Sequence, residues 1–136
     1  MTASGLYIVT LRNIEPVSVN AHDARIAQRC ILVNRDNCKI GKARDLASRE
    51  RSYWRTFGRE QVCFRPIALL DDIKCAERVV LDVLSAWRLR GSTGRRNEWL
   101  AGISAADAEH RVLAALDASG VVHLRCTDEI RSALAK

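Results

Sequence analysis

Strand-like runs alternate with Asp-capped helical stretches from Gly5 to Leu100, and that alternation confines the chain to a layered arrangement of helices on a sheet. Gly5 to Leu11 (GLYIVTL) is rich in β-branched and aromatic residues and reads as a first strand. Asn13, Pro16 and Asn20 break that pattern. Residues 21–33 fit either a short helix, through Ala24, Ala27 and Ile31, or a strand at Cys30-Ile31-Leu32-Val33 entering a turn. Cys38 to Lys42 (CKIGK) is a second strand, in which Gly41 permits a bend or a close backbone approach. Asp45 caps a helix expected to reach about Thr56, and Gly58 stops it. Gln61 to Leu70 is a third strand, whose Pro66 calls for an edge or a bulge. Asp71 and Asp72 then cap a helix expected to run from Ile73 to about Leu89. The remainder reads as a helix from Ser104 to about Ala118, a short strand over 121–126 and a last helix from Thr127.

The chain has 136 residues, enough for one domain with its own core. Its 48% hydrophobic and 28% charged residues are the balance of a globular protein, and no internal repeat is present. No apolar run approaches the roughly 20 residues of a membrane span, and Met1 to Gly5 lacks the pattern of a signal peptide, so a cytoplasmic location is expected. Five cysteines without a C-x-x-C pair are expected to be reduced and mostly buried. The three histidines have no zinc-site spacing among themselves or with the cysteines. The net charge of +6 is concentrated: residues 42–65 hold seven Lys or Arg against Asp45, Glu50 and Glu60, a local balance of +4. Such a region suits a polyanion such as nucleic acid, and equally a solvated helix face.

One carboxylate stands out. At about 100° per residue, Ile73, Val80, Leu84 and Trp87 fall in one stripe of the expected helix, with Ala76 and Val83 beside them. Glu77 lies inside that stripe, whereas Lys74, Arg78 and Asp82 project from the opposite side. A core-facing carboxylate demands a partner, either an arginine in a structural ion pair or a divalent metal at the floor of a cleft.

Gly5-Leu6-Tyr7 on the first strand, Lys39-Ile40-Gly41 on the second and Arg49 on the helix that follows, in that order, resemble the GIY-YIG nuclease family. Glu77 matches the family's single metal-binding glutamate, and Asn97-Glu98-Trp99-Leu100 resembles a segment of some phage-type branches. The likeness covers about residues 5–100. Lys39 stands where the family has its second aromatic, and residues 13–37 form an insertion. The resemblance implies an α/β (α+β) fold with a small three-stranded mixed sheet flanked by helices over residues 1–102. Residues 103–136 would then be a helix-strand-helix extension packed on the same domain.

It also implies metal-dependent hydrolysis of DNA phosphodiester bonds. Glu77 would hold one Mg²⁺ or Mn²⁺, and Arg49 would bind the phosphoryl oxygens. Tyr7 would orient or deprotonate the attacking water, its pKa lowered by cations such as Lys39. Tyr53, one helix turn after Arg49, would join the pocket, and Asn97, in the place of the family's late asparagine, would support the site. Structural alternatives stand beside these roles: Tyr7 as a core strand residue, Tyr53 as an aromatic sealing helix to sheet, and Asn97 as a helix cap before Glu98. Trp54, Trp87 and Trp99 read as core residues rather than base-stacking platforms. Arg44, Arg51, Arg55, Arg95 and Arg96 are the expected DNA contacts, by phosphate attraction. A homodimer would suit a two-strand cut. Two other readings compete: a non-catalytic nucleic-acid-binding module with a nuclease-like fold, and an interaction protein in which Glu77 pairs with Arg49.

Overall fold

The GLYIVTL run forms β1 (Gly5–Leu11), and every residue of it except Thr10 is buried, so it has to be covered on both faces. The computed structural model describes residues 2–19, 31–90 and 96–135 and puts β1 inside a six-stranded sheet. The other elements are β2 (Val17–Ser18), β3 (Leu32–Val33), β4 (Cys38–Ala43), α1 (Leu46–Phe57), β5 (Val62–Leu69), α2 (Ile73–Val83), β6 (Arg88–Arg90), β7 (Arg96–Leu100), α3 (Ala105–Ser119), β8 (Leu124–Arg125) and α4 (Asp128–Leu134). The sheet order is β6-β7-β4-β1-β5-β8 with every pair antiparallel, and β2 pairs β3 in a separate ribbon.

The fold is therefore α+β, and the expected small three-stranded mixed sheet is corrected to a six-stranded antiparallel one. Its centre, β4-β1-β5, is built from the three runs that read as strands. Of the additional strands, β8 lies in the run over 121–126 that read as a short strand, whereas β6 and β7 come from segments that read otherwise. The helix expected to reach Leu89 stops at Val83, and after a single 3-10 turn at Ser85–Trp87 the chain forms β6. Leu84 and Trp87 prolong the helical stripe, but from Trp87 apolar and basic residues alternate (Trp87, Arg88, Leu89, Arg90), and that period of two prevails once β7 offers a partner. Asn97 lies within β7, so it does not cap a helix.

Local signals set the helix boundaries. The Asp45 carboxylate accepts from the Ser48 amide at 3.2 Å, and Gly58, at φ 93°, ends α1. The Asp72 carboxylate accepts from the Cys75 amide, and the Ser104 hydroxyl from the Asp107 amide, each at 3.1 Å. Pro66 sits at a bulge: Tyr7 faces Pro66 and Leu6 faces Ala68, which leaves Ile67 as the extra residue. β8 pairs only with Ala68 and Leu69, so the missing N–H of Pro66 breaks no ladder on that side.

Two cores follow from the two faces of the sheet. Leu6, Ile8, Cys38, Ile40, Ile67 and Leu100 pack under α2 and α3, and α3 contributes Ala108, Val112 and Leu116, none of them exposed. Tyr7, Val9, Ala43, Val62 and Trp99 pack under α1 with Leu46 and Tyr53. The cysteines depart from expectation: Cys38 is buried, its thiol pushed up to about 11 by that burial, but Cys63 and Cys75 are exposed and Cys126 is half-buried. Cys63 sits at an outward position of β5 and Cys75 in the first turn of α2, where neither core reaches. Cys30 lies outside the described residues.

Candidate active site

The register between β1 and β4 sets Tyr7 opposite Gly41. A Cβ on Gly41 would lie 2.3 Å from the Tyr7 Oη, so only a bare backbone lets the phenol ring cross the strand. The ring is fully buried, stacks on Phe64 with centroids 4.6 Å apart, and carries its hydroxyl to 2.7 Å from the Tyr53 hydroxyl on α1. Tyr53, Phe57 and Trp99 continue this aromatic layer between α1 and the sheet. The structural roles expected for Tyr7 and Tyr53 are thus both realised, and the same packing brings their hydroxyls together.

The expected lowering of the Tyr7 pKa is not found. Burial and the neighbouring Tyr53 push it up, and the nearby Lys39 and Arg49 cations only partly oppose them. Tyr53 is pushed up to about 12, chiefly by burial, against the hydrogen bond with Tyr7 and the Arg49 charge. Both phenols are neutral near pH 7. Unfolded tyrosines ionise near pH 10. Between that value and the folded one the unfolded chain sheds protons that the folded chain keeps, so stability falls as pH rises. Urea midpoints taken at intervals from about pH 9 to about pH 12 are expected to show that decline, and Tyr53→Phe to flatten it; an unchanged slope in the variant would assign the alkaline transition elsewhere.

Cations surround the pair. The Lys39 ammonium lies 5.5 Å from the Tyr53 ring centroid and forms an ion pair with Glu98 at 3.3 Å. Arg49 is exposed, one turn before Tyr53, and its positive charge acts on the Tyr53 hydroxyl. Glu77 belongs to α2, on the opposite face of the sheet from α1. Its side chain is one third exposed and not core-facing, and its partner is neither a buried arginine nor Arg49: the Lys42 ammonium stands 2.5 Å from its carboxylate.

The two faces meet where β4 ends. A hollow of about 480 Å³ opens there, lined by Lys42, Arg44, Ser48, Arg49, Ser52 and Lys74 with Asp45. It joins the Arg49 side of the sheet to the Lys42–Glu77 side. A narrow cleft next to it is lined by Gly41, Lys42, Glu77 and Glu98. Among the described residues no three of His, Cys, Asp and Glu converge. A divalent cation here would have Glu77 as its protein ligand; a single carboxylate completed by water and phosphate oxygens is a donor set that Mg²⁺ accepts.

Of the expected nucleic-acid contacts, Arg44 lines the hollow, whereas Arg51 and Arg55 are exposed elsewhere on α1 and do not line it. Arg95 and the side chains of Arg96 and Asn97 lie outside the described residues. Trp99 is buried, as expected of a core residue; Trp54 and Trp87 are half-buried and carry Arg59 and Arg111 over their rings at 4.5 and 4.9 Å. The sequence reading missed Lys42, Lys74 and the Lys39–Glu98 pair. Lys42 was within reach of it: two residues after Ile40, it had to point to the same face as Ile40, under the helix that carries Glu77.

The chain matches no family model, no curated protein and no solved structure. No helix among the described residues is long and apolar enough to cross a membrane.

Proposed function

We propose that the chain is a metal-dependent endonuclease that hydrolyses DNA phosphodiester bonds with a GIY-YIG-type site. The observation that carries this reading is the convergence of Tyr7, Lys39, Arg49 and Tyr53, from three separate elements, beside a basic hollow that also reaches the Lys42–Glu77 side. Arg49 presents a planar fork of donors to the phosphoryl oxygens of a backbone phosphate. Of the two phenolic protons, one bridges the 2.7 Å contact and the other is free to donate. Either hydroxyl can donate across that contact; in the proposed site Tyr7 donates, and the Tyr53 proton is left for a phosphoryl oxygen or the attacking water. Neutral phenols orient that water and do not deprotonate it, so Tyr7 is a positioning residue that acts through Tyr53. Lys39, held by Glu98, adds positive potential beside the pair. Mg²⁺ or Mn²⁺ on Glu77 would neutralise charge on the phosphate and stabilise the departing 3′ oxygen.

The test is cleavage of supercoiled plasmid by wild type, Glu77→Ala and Arg49→Ala with Mg²⁺ or Mn²⁺, against an EDTA control. Nicking that needs metal and vanishes in Glu77→Ala is the expected result. Arg49→Ala is expected to lose on the order of 10²–10³-fold in rate, and Arg49→Lys to recover only part of it, because a point charge cannot replace the bidentate fork.

A second reading is favoured by one observation, the Glu77 carboxylate being already engaged by Lys42. In that reading the chain is a non-catalytic nucleic-acid-binding module. Plasmid left intact under every metal condition by a folded protein that still shifts DNA in a gel selects it.

A further inference from the structure

The cations around the hollow at the end of β4 come from three places: Arg44 from the connection into α1, Arg49 from α1 itself, and Lys74 from the first turn of α2. None of the three has a carboxylate partner among the described residues; Lys42, the fourth cation of the lining, is paired with Glu77, and five further Lys or Arg ion pairs form elsewhere among those residues. Asp45, the carboxylate in the lining, is engaged as the cap of α1. A solvated helix face spreads its charges apart. Here the tertiary fold gathers cations without carboxylate partners from separate elements onto one concave surface, which raises the local positive potential and attracts anions. The Ser48 and Ser52 side chains share the wall with them.

Size and surroundings narrow the anion. At roughly 30 Å³ per water molecule, about 480 Å³ is room for considerably more than one phosphate group. Past Lys74 the surface changes sign: an adjoining hollow, also touched by Arg44 and Lys74, contains Asp71 and Asp72. An extended polyanion lying over Arg44 and Lys74 would continue toward Arg49, away from those carboxylates.

We infer that Arg44 and Lys74 form a second phosphate subsite, which holds the nucleic-acid backbone phosphate adjacent to the one offered to Arg49. The ligand is then a polymer with consecutive phosphates and not a lone phosphodiester. For the position of the first phosphate this rests on the nuclease reading; for the second it rests on the hollow alone.

The experiment is fluorescence anisotropy of the full chain with a labelled duplex across a salt series in EDTA, so that no cleavage occurs. Wild type, Arg44→Gln, Lys74→Gln, the double variant and Glu77→Gln are compared, with inorganic phosphate as a competitor. Each phosphate contact contributes about 0.9 to the slope of log affinity against log salt. Arg44 and Lys74 share one phosphate, so the double variant is expected to lower the slope by about 0.9, each single variant by part of that, and the double variant to weaken binding at low salt by about tenfold or more. Glu77→Gln frees the Lys42 ammonium in the wall of the same hollow and is expected to steepen the slope, opposite to the cation variants. Both cations are exposed, so the variants should melt like wild type, and a matching melt is required before the slopes are compared. An unchanged slope in the double variant overturns the inference. So does a double variant that binds duplex normally while inorganic phosphate loses its hold, which marks a site for a free anion. A wild type that shows no salt-dependent duplex binding overturns both this inference and the nuclease reading. A wild type that binds as expected yet never cleaves overturns only the latter.

Discussion

Glu77→Gln is expected to remove metal-dependent nicking, with a fall on the order of 10³-fold or more, while the protein stays folded. A bound dication contributes several kcal/mol of charge stabilisation at a phosphoryl centre, and about 4 kcal/mol corresponds to roughly a thousandfold in rate. The change in fold stability is far smaller. Lys42 and Glu77 are each about one third exposed, at 35% and 32%, and pairs of that kind are worth about 0–1 kcal/mol. A loss of cleavage cannot then be laid to unfolding. The same weakness means the Lys42 ammonium holds the carboxylate without blocking it, since a dication and an ammonium compete for the same oxygens and the dication has the larger charge. Wild-type rates from a folded Glu77→Gln protein, measured with purified plasmid and saturating Mn²⁺, would remove Glu77 from the mechanism.

Gly41→Ala is expected to destabilise the protein by about 2 kcal/mol and to disable the site at the same time. Two effects oppose each other. Alanine lowers the entropy of the unfolded chain and should stabilise a strand by about 0.5–1 kcal/mol. Against this, the new methyl would lie 2.3 Å from the Tyr7 hydroxyl oxygen and 2.5 Å from its ring carbon. The ring cannot retreat, because it is fully buried and stacked on Phe64, so either the strands part or Tyr7 leaves Tyr53. Overpacking of this kind costs up to about 3 kcal/mol, and loss of the buried hydrogen bond adds about 1 kcal/mol. Packing wins. A urea titration reads the stability, and cleavage by the protein that remains folded reads the site. Gly41→Ala in the Tyr7→Phe background should recover part of the stability but no activity, as the hydroxyl is one of the two closest atoms. Stability unchanged in Gly41→Ala would show that the register of β1 on β4 is not what holds Tyr7.

Helix starts, the ends of α1 and α3, and the central strands were legible because their causes are local. Asp45, Asp72 and Ser104 each accept a hydrogen bond from an amide three residues on, and Gly58 and Gly120 take backbone conformations that other residues avoid. The runs at Gly5–Leu11, Cys38–Ala43 and Val62–Leu69 have strand composition whatever surrounds them. The pairing of Arg49 with Tyr53 was equally visible, being one turn of helix.

What tertiary structure decided was partnership across the chain. Arg88–Arg90 and Arg96–Leu100 carry an ambiguous pattern, and they became strands because β4 left an edge for β7 and β7 an edge for β6. Glu77 read as core-facing, but it is one third exposed, and Lys42 meets it because α2 lies over the face to which Ile40 and Lys42 point. The charge state of Tyr7 went against expectation for a similar reason. Sequence shows the cations near a phenol, whereas desolvation depends on how completely Phe64, Tyr53 and Gly41 enclose it, and burial outweighed charge. Residue types and local spacing thus determined which elements form and which side chains could do chemistry. Distances, burial and pairing belong to contacts between residues far apart in the chain, and only the folded arrangement contains them.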